Sequence, residues 1–69
     1  MNKNKFVSVM KLHGDTQESL SEAIGISVQR LNAKINSTGG AEFTMSEISA
    51  IKIRYNLTCQ EIDEIFFCD

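Results

Sequence analysis

Residues 16–36 read TQESLSEAIGISVQRLNAKIN, and the fold turns on this stretch. Leu20, Ala23 and Ile24 recur at the three- and four-residue spacing that gathers side chains on one helical face, and Leu31 and Ile35 do so again. Only Gly25, Ile26 and Ser27 separate the two segments. A glycine at such a point ends a helix by taking a positive φ with no Cβ in the way. Ile26 then drops toward the core and Ser27 caps the second helix. The pattern predicts helices over 17–24 and 28–36, the first capped by Asp15 or Thr16. Helices joined so tightly cross at a steep angle. Their buried contact is then Leu20, Ala23 and Ile24 against Ile26, Leu31 and Ile35, with the small Ala23 at the close crossing.

The flanks carry the same periodicity. Phe6, Val9 and Met10 predict a helix over 5–13 with Asn4 as its cap. Ile48, Ile51 and Tyr55 predict one over 45–55, and Ile62, Ile65 and Phe66 one over 59–67. Thr44 with Glu47 and Thr58 with Glu61 have the three-residue spacing of capping boxes. Ile26 with Leu31, Phe43 with Ile48 and Leu57 with Ile62 have the spacing of hydrophobic staples, which fix the angle at which the chain joins each helix. Apolar alternation is lacking, so no strand is expected. Ser37-Thr38-Gly39-Gly40 is the one loop-like stretch. The expectation is an all-α, five-helix domain.

A chain of 69 residues has room for one domain, read here as 1–69 with the motif at 16–36 and residues 1–4 as a flexible basic arm. The small core that this length allows makes capping important. Charged residues are 23% and the apolar set 42%, an ordinary soluble profile. No apolar run approaches the ~20 residues of a membrane span, and none follows Lys3 and Lys5 as a secretory leader requires. The expected location is the cytoplasm. Asn36-Ser37-Thr38 and Asn56-Leu57-Thr58 match the glycosylation triplet by chance on that reading. Cys59 and Cys68 read as reduced, half-buried thiols on the last helix. With one histidine, His13, and no Cys-x-x-Cys, no metal is expected. No catalytic constellation and no room for a substrate cavity are present, so neither enzyme activity, a cofactor nor a small-molecule ligand is expected.

The formal net charge is −2, against the usual basic balance of nucleic-acid binders. The two halves differ in sign. Residues 1–36 hold Lys3, Lys5, Lys11, Arg30 and Lys34 against Asp15, Glu18 and Glu22. Residues 37–69 hold Lys52 and Arg54 against Glu42, Glu47, Glu61, Asp63, Glu64 and Asp69. The positive half therefore contains the motif and favours an oriented approach to a polyanion. At about 100° per residue, Leu31 and Ile35 mark the buried side of the second motif helix. Ala33 falls almost opposite, flanked by Gln29 and Arg30. Asn36 and Lys34 lie further round, Asn32 sits between the faces, and Val28 reaches outward from the first turn. That face has no acid to repel phosphate. Gln pairs with adenine, Arg with guanine, and Ala or Val meets a thymine methyl.

TQESLSEAIGIS and LNAKIN resemble the helix-turn-helix of the phage Cro and lambda-type repressor superfamily, and TMSEISAIKIRYNLTCQEIDEIF is similar to that family's closing helical pair. The likeness runs from about residue 6 to residue 67. It implies a lambda-repressor-like domain and a small Cro-like phage or prophage repressor. Such a regulator reads the major groove of a pseudo-palindromic double-stranded operator. By the resemblance, Gln17 contacts phosphate and buttresses the reading helix. Val28 and Gln29 fall on base-reading positions, Ala33 on a later one, and Asn36 on a phosphate-binding asparagine. The residues themselves add Arg30 to Gln29 as a reader of bases, Ser27 and Lys34 to Gln17 and Asn36 as contacts to the DNA backbone, and Asn32 to the DNA-facing set. Val28 stands where the family often has an amide, and residues 37–40 are looser than its usual Asn-Gly link.

Two adjacent rings, Phe66 and Phe67, cannot both point inward from one short helix. Phe67, with Cys68, is expected either in a homodimer interface on the last helix, which would set two reading helices about one DNA turn apart, or packed back over the first helix. The alternative function is a repressor-like protein-interaction module, of antirepressor or antitoxin type, binding a protein partner in place of DNA. The acidic C-terminal half and Phe66-Phe67 favour it.

Overall fold

A computed structural model describes residues 1–67, and all regular structure within them is helical. The chain runs through α1 (Lys3–Leu12), α2 (Gln17–Ile24), α3 (Val28–Asn36), a single 3-10 turn (Thr38–Gly40), α4 (Met45–Tyr55) and α5 (Cys59–Phe66). No helix among the described residues is long and apolar enough to cross a membrane.

Local chemistry sets most of these boundaries. Thr16, Ser27, Thr44 and Thr58 each stand in extended conformation and accept the N–H three residues on. Glu47 and Glu61 return the bond to the threonine N–H and close the two expected boxes. A third box links Thr16 to Ser19, a serine in the place usually held by a glutamate. Gly25 ends α2 at φ 76°. Ser37 ends α3 and Asn56 ends α4, also in the left-handed region at φ 53° and 52°.

One apolar cluster holds the helices together. It contains Phe6 and Met10 from α1, Leu20 from α2, Leu31 and Ile35 from α3, and Ile48, Ile51 and Tyr55 from α4. Leu57, Ile62 and Ile65 complete it. Ile26 and Phe43, the residues before two of the caps, pack partly buried against it. Phe6, Phe43 and Phe66 meet pairwise, with ring centroids 5.4–5.8 Å apart. Among the helices, α2 packs on α3 and α4, and α1 on α5.

Three expectations are corrected. First, residues 1–4 are no free arm. Asn2, rather than Asn4, caps α1; its own N–H donates to the Ile65 carbonyl, and Met1 packs on the core. Second, Ala23 is exposed, and Ser21 takes the buried place at the motif's inner face. The core lies on the Leu20–Ser21–Ile24 side of α2, and the Ser21 hydroxyl costs little to bury because it donates to the Glu18 carbonyl at 2.8 Å. Third, Cys59 is exposed, where it accepts from the Lys52 ammonium at 3.3 Å. Cys68 lies outside the described residues. Phe67 is 56% exposed and Phe66 is packed inward, the split expected for adjacent rings.

Candidate functional site

The motif folds around Gly25. After its left-handed turn the Ile26 N–H returns to the Ser21 carbonyl, and Ser27 caps α3 through Arg30 N–H at 3.2 Å. Beyond Gly25 and its two chain neighbours, nothing crowds a Cβ built on this residue, so backbone conformation, not crowding, selects glycine here.

Leu31 and Ile35 turn α3 against the core, and the opposite side faces solvent. Ser27, Gln29, Arg30, Asn32 and Asn36 are exposed; Val28 is about two-fifths exposed and Ala33 half-buried. Arg30 forms no ion pair among the described residues. No acid stands on α3, so the exposed arc offers amides, a guanidinium and small apolar groups.

Amide contacts brace this arc. The Asn32 amide donates to the Gln17 carbonyl oxygen at 3.2 Å, tying the start of α2 to the middle of α3. The Asn36 amide donates to both the backbone and the side-chain oxygens of Asn32, at 3.0 and 3.1 Å. The Gln17 amide N–H groups and the Ser27 hydroxyl hydrogen meet no protein acceptor among the described residues, so both side chains retain a donor.

Lys34 does not belong to the exposed arc, which corrects its expected place among the backbone-contacting residues. It is only 8% exposed, and its ammonium donates to both oxygens of Glu47 at 2.5 and 2.7 Å. Burial alone would raise the Glu47 carboxyl; the Lys34 ammonium and the Thr44 N–H outweigh it and hold the group below the ordinary range. The pairing was hidden in the sequence because Glu47 also satisfies a local capping pattern.

A second polar cluster lies at the approach to α2. Asp15, with its side chain 8% exposed, accepts the Arg54 Nε and Nη2 groups at 2.7 Å each. It also accepts the Tyr55 hydroxyl at 2.6 Å and the Ser19 hydroxyl at 2.9 Å. These bonds, those from Arg54 foremost, hold its carboxyl far below the usual carboxylate range although burial opposes them. Burial and the Asp15 anion push the Tyr55 phenol up. His13 stacks on the Tyr55 ring with centroids 4.8 Å apart. The cluster anchors the α1–α2 link to α4, and neither Arg54 nor Tyr55 was expected to serve the motif.

The pairs also change the charge balance. Lys5 is bonded to Glu64, Lys34 to Glu47 and Arg54 to Asp15, each across the two halves of the chain. Among the described cations of the motif half, Lys3, Lys11 and Arg30 stay exposed and outside these pairs.

A groove of about 240 Å³ lies beside the C-terminal end of α3, and Phe43, Ile48, Phe66, Phe67, Met1 and Lys34 are among the residues that line it. No three or more His, Cys, Asp or Glu side chains among the described residues are grouped to hold a metal ion. No protein-family model matches the chain, and neither a curated protein nor a solved structure is significantly similar to it.

Proposed function

We propose that the chain is a sequence-specific double-stranded DNA-binding regulator of the lambda-repressor type, with α3 as its major-groove helix. The observation that carries this reading is the exposed, acid-free arc of α3, capped by Ser27, set by the Gly25 turn and braced on α2 through Gln17 and Asn32. Gln29 and Arg30 read base edges, and Val28 and Ala33 meet thymine methyls. Gln17 and Ser27 hold phosphates with the donors they retain, and Asn36 does so when its amide leaves Asn32 for the DNA backbone. Arg30, Lys3 and Lys11 supply attraction to the backbone. The net charge of −2 makes the long-range attraction modest, and three cations outside ion pairs neutralise few phosphates, so the salt dependence is shallow.

Selection of bound sequences from random duplex DNA, with gel shifts over a salt series, tests the reading. Enrichment of a short motif, bound more weakly as salt rises, supports it. No enrichment and no shift at about 50 mM salt overturns it. A palindromic motif, together with a concentration-dependent dimer in sedimentation, would agree with pairing through the exposed Phe67.

The second reading is a protein-binding module. It is favoured by the exposed Phe67 ring beside the aromatic groove, and by the loss of Lys5 and Lys34 to internal pairs. A stable complex with a regulator or toxin, formed by a chain that shifts no duplex, would select it.

A further inference from the structure

The Lys34–Glu47 pair calls for a function of its own. A buried ion pair contributes little net stability compared with apolar residues of the same volume, because desolvation offsets the attraction. Its value lies in geometry. The Lys34 ammonium sits on both Glu47 oxygens and 6.0 Å from the centre of the Phe43 ring. Glu47 cannot swing away, because its Oε1 also takes the Thr44 N–H at 2.8 Å and so closes the cap of α4. The last turn of α3 is therefore fixed to the first turn of α4.

Asn32 makes the other tie, to Gln17 on α2. Residues 32 and 34 are two apart and so about 200° apart around a helix axis. They lie on opposite flanks of the exposed arc, with Gln29, Arg30, Ala33 and Asn36 between them. Ties on both flanks to different neighbours oppose a roll of α3 about its axis. A roll of one flank would carry Gln29 and Arg30 away from one base pair toward the next.

We infer that Lys34 and Glu47 are positioning residues. They set the rotational pose in which α3 presents its exposed arc and so govern discrimination between DNA sequences, while touching no DNA themselves. The inference rests on the DNA-binding reading for its functional consequence, and on the free protein for its geometry.

The test is the double variant Lys34→Met with Glu47→Gln. Glutamine still closes the capping box, and no charge is left unpaired. Two measurements decide. In the free protein, amide chemical shifts and hydrogen exchange should change across residues 28–37 and stay unchanged in α1 and α5. On DNA, the ratio of specific to non-specific affinity should fall by about tenfold while the slope of log affinity against log salt stays the same. An equal loss on all sequences with a slope smaller by about one makes Lys34 a phosphate contact and overturns the inference. Unchanged α3 amides overturn it as well. If the unaltered chain binds no duplex, the DNA-binding reading falls and the amide comparison alone still decides the positioning role. Lys34→Gln keeps a donor to the Glu47 carboxylate and leaves the box intact; it replaces the double variant, read by the same signs, should that variant not fold.

Discussion

Replacing Asp15 by Asn tests whether the motif is anchored from outside itself. The carboxylate accepts four bonds: two from Arg54, one from the Tyr55 hydroxyl and one from the Ser19 hydroxyl. Asparagine keeps the shape but puts an NH₂ group where one oxygen stood, so a donor then faces a donor. The Arg54 side is open to water and contributes little that solvent does not replace. The cost therefore comes from the two hydroxyl bonds to a nearly buried anion, about 2 kcal/mol together. For a domain of this size that lowers Tm by about 8–16 °C. A lowered carboxyl pKa stabilises the fold above its unfolded-state value, and that contribution is lost as pH falls through the folded-state value. The gap between the two proteins should thus be full at pH 7 and shrink at pH 3, below the ordinary carboxyl value of about 3.9. The lowered carboxyls of Glu47 and Glu61 titrate in both proteins and cancel in the difference. Thermal unfolding monitored by circular dichroism at constant ionic strength gives the comparison. A gap below about 3 °C at pH 7, or one equally large at pH 3, would refute the anchoring role.

Gln29→Ala should weaken binding by roughly 1–3 kcal/mol at a single base position, seen in competition gel shifts with singly substituted duplexes; unchanged sequence preference would place the reading face elsewhere. Gly25→Ala should cost about 1–2 kcal/mol in urea unfolding, since alanine must take the φ of 76° that ends α2. Thr44→Ala should cost about 1 kcal/mol in the same assay by opening the box that starts α4. On α4 itself, Ile51→Val should cost about 0.5–1.5 kcal/mol, whereas Ile53→Ala, at a position 80% exposed, should stay within about 0.5 kcal/mol.

The bounds of α2, α3 and α4 were legible because caps are local chemistry: a threonine or serine and the N–H three residues on need nothing from the rest of the chain. The start of α1 was not legible, since its register is fixed by Asn2 meeting the Ile65 carbonyl at the far end of the sequence. Periodicity found Leu20, Leu31 and Ile35, yet put Ala23 inside and missed Ser21. Spacing defines a face, but the neighbours decide which edge of that face they cover. The same limit applies to charge. Lys34 has the spacing of a solvated flank residue, and Asp15 that of a cap. Their partners, Glu47 and the Arg54–Tyr55 pair, are brought to them by the packing of α4. Gln29, Arg30 and Asn36 lie on the solvent side as read, because an acid-free polar arc opposite two aliphatic core positions leaves one orientation open.

The aromatic trio of Phe6, Phe43 and Phe66 bears on how the chain finds this structure. The contacts of α2 with α3 span few residues and close small loops, whereas Phe6 and Phe66 are separated by nearly the whole described chain. Loop closure of that length comes late, after local pairs have formed. The helical pair of the motif is therefore expected to form first, with the three rings closing last. Weakening the ring contacts should quicken unfolding and leave the folding rate almost untouched. The stretch that would read DNA would then be the first part of the molecule to take shape, and the rings that join the two ends would govern how long it keeps it.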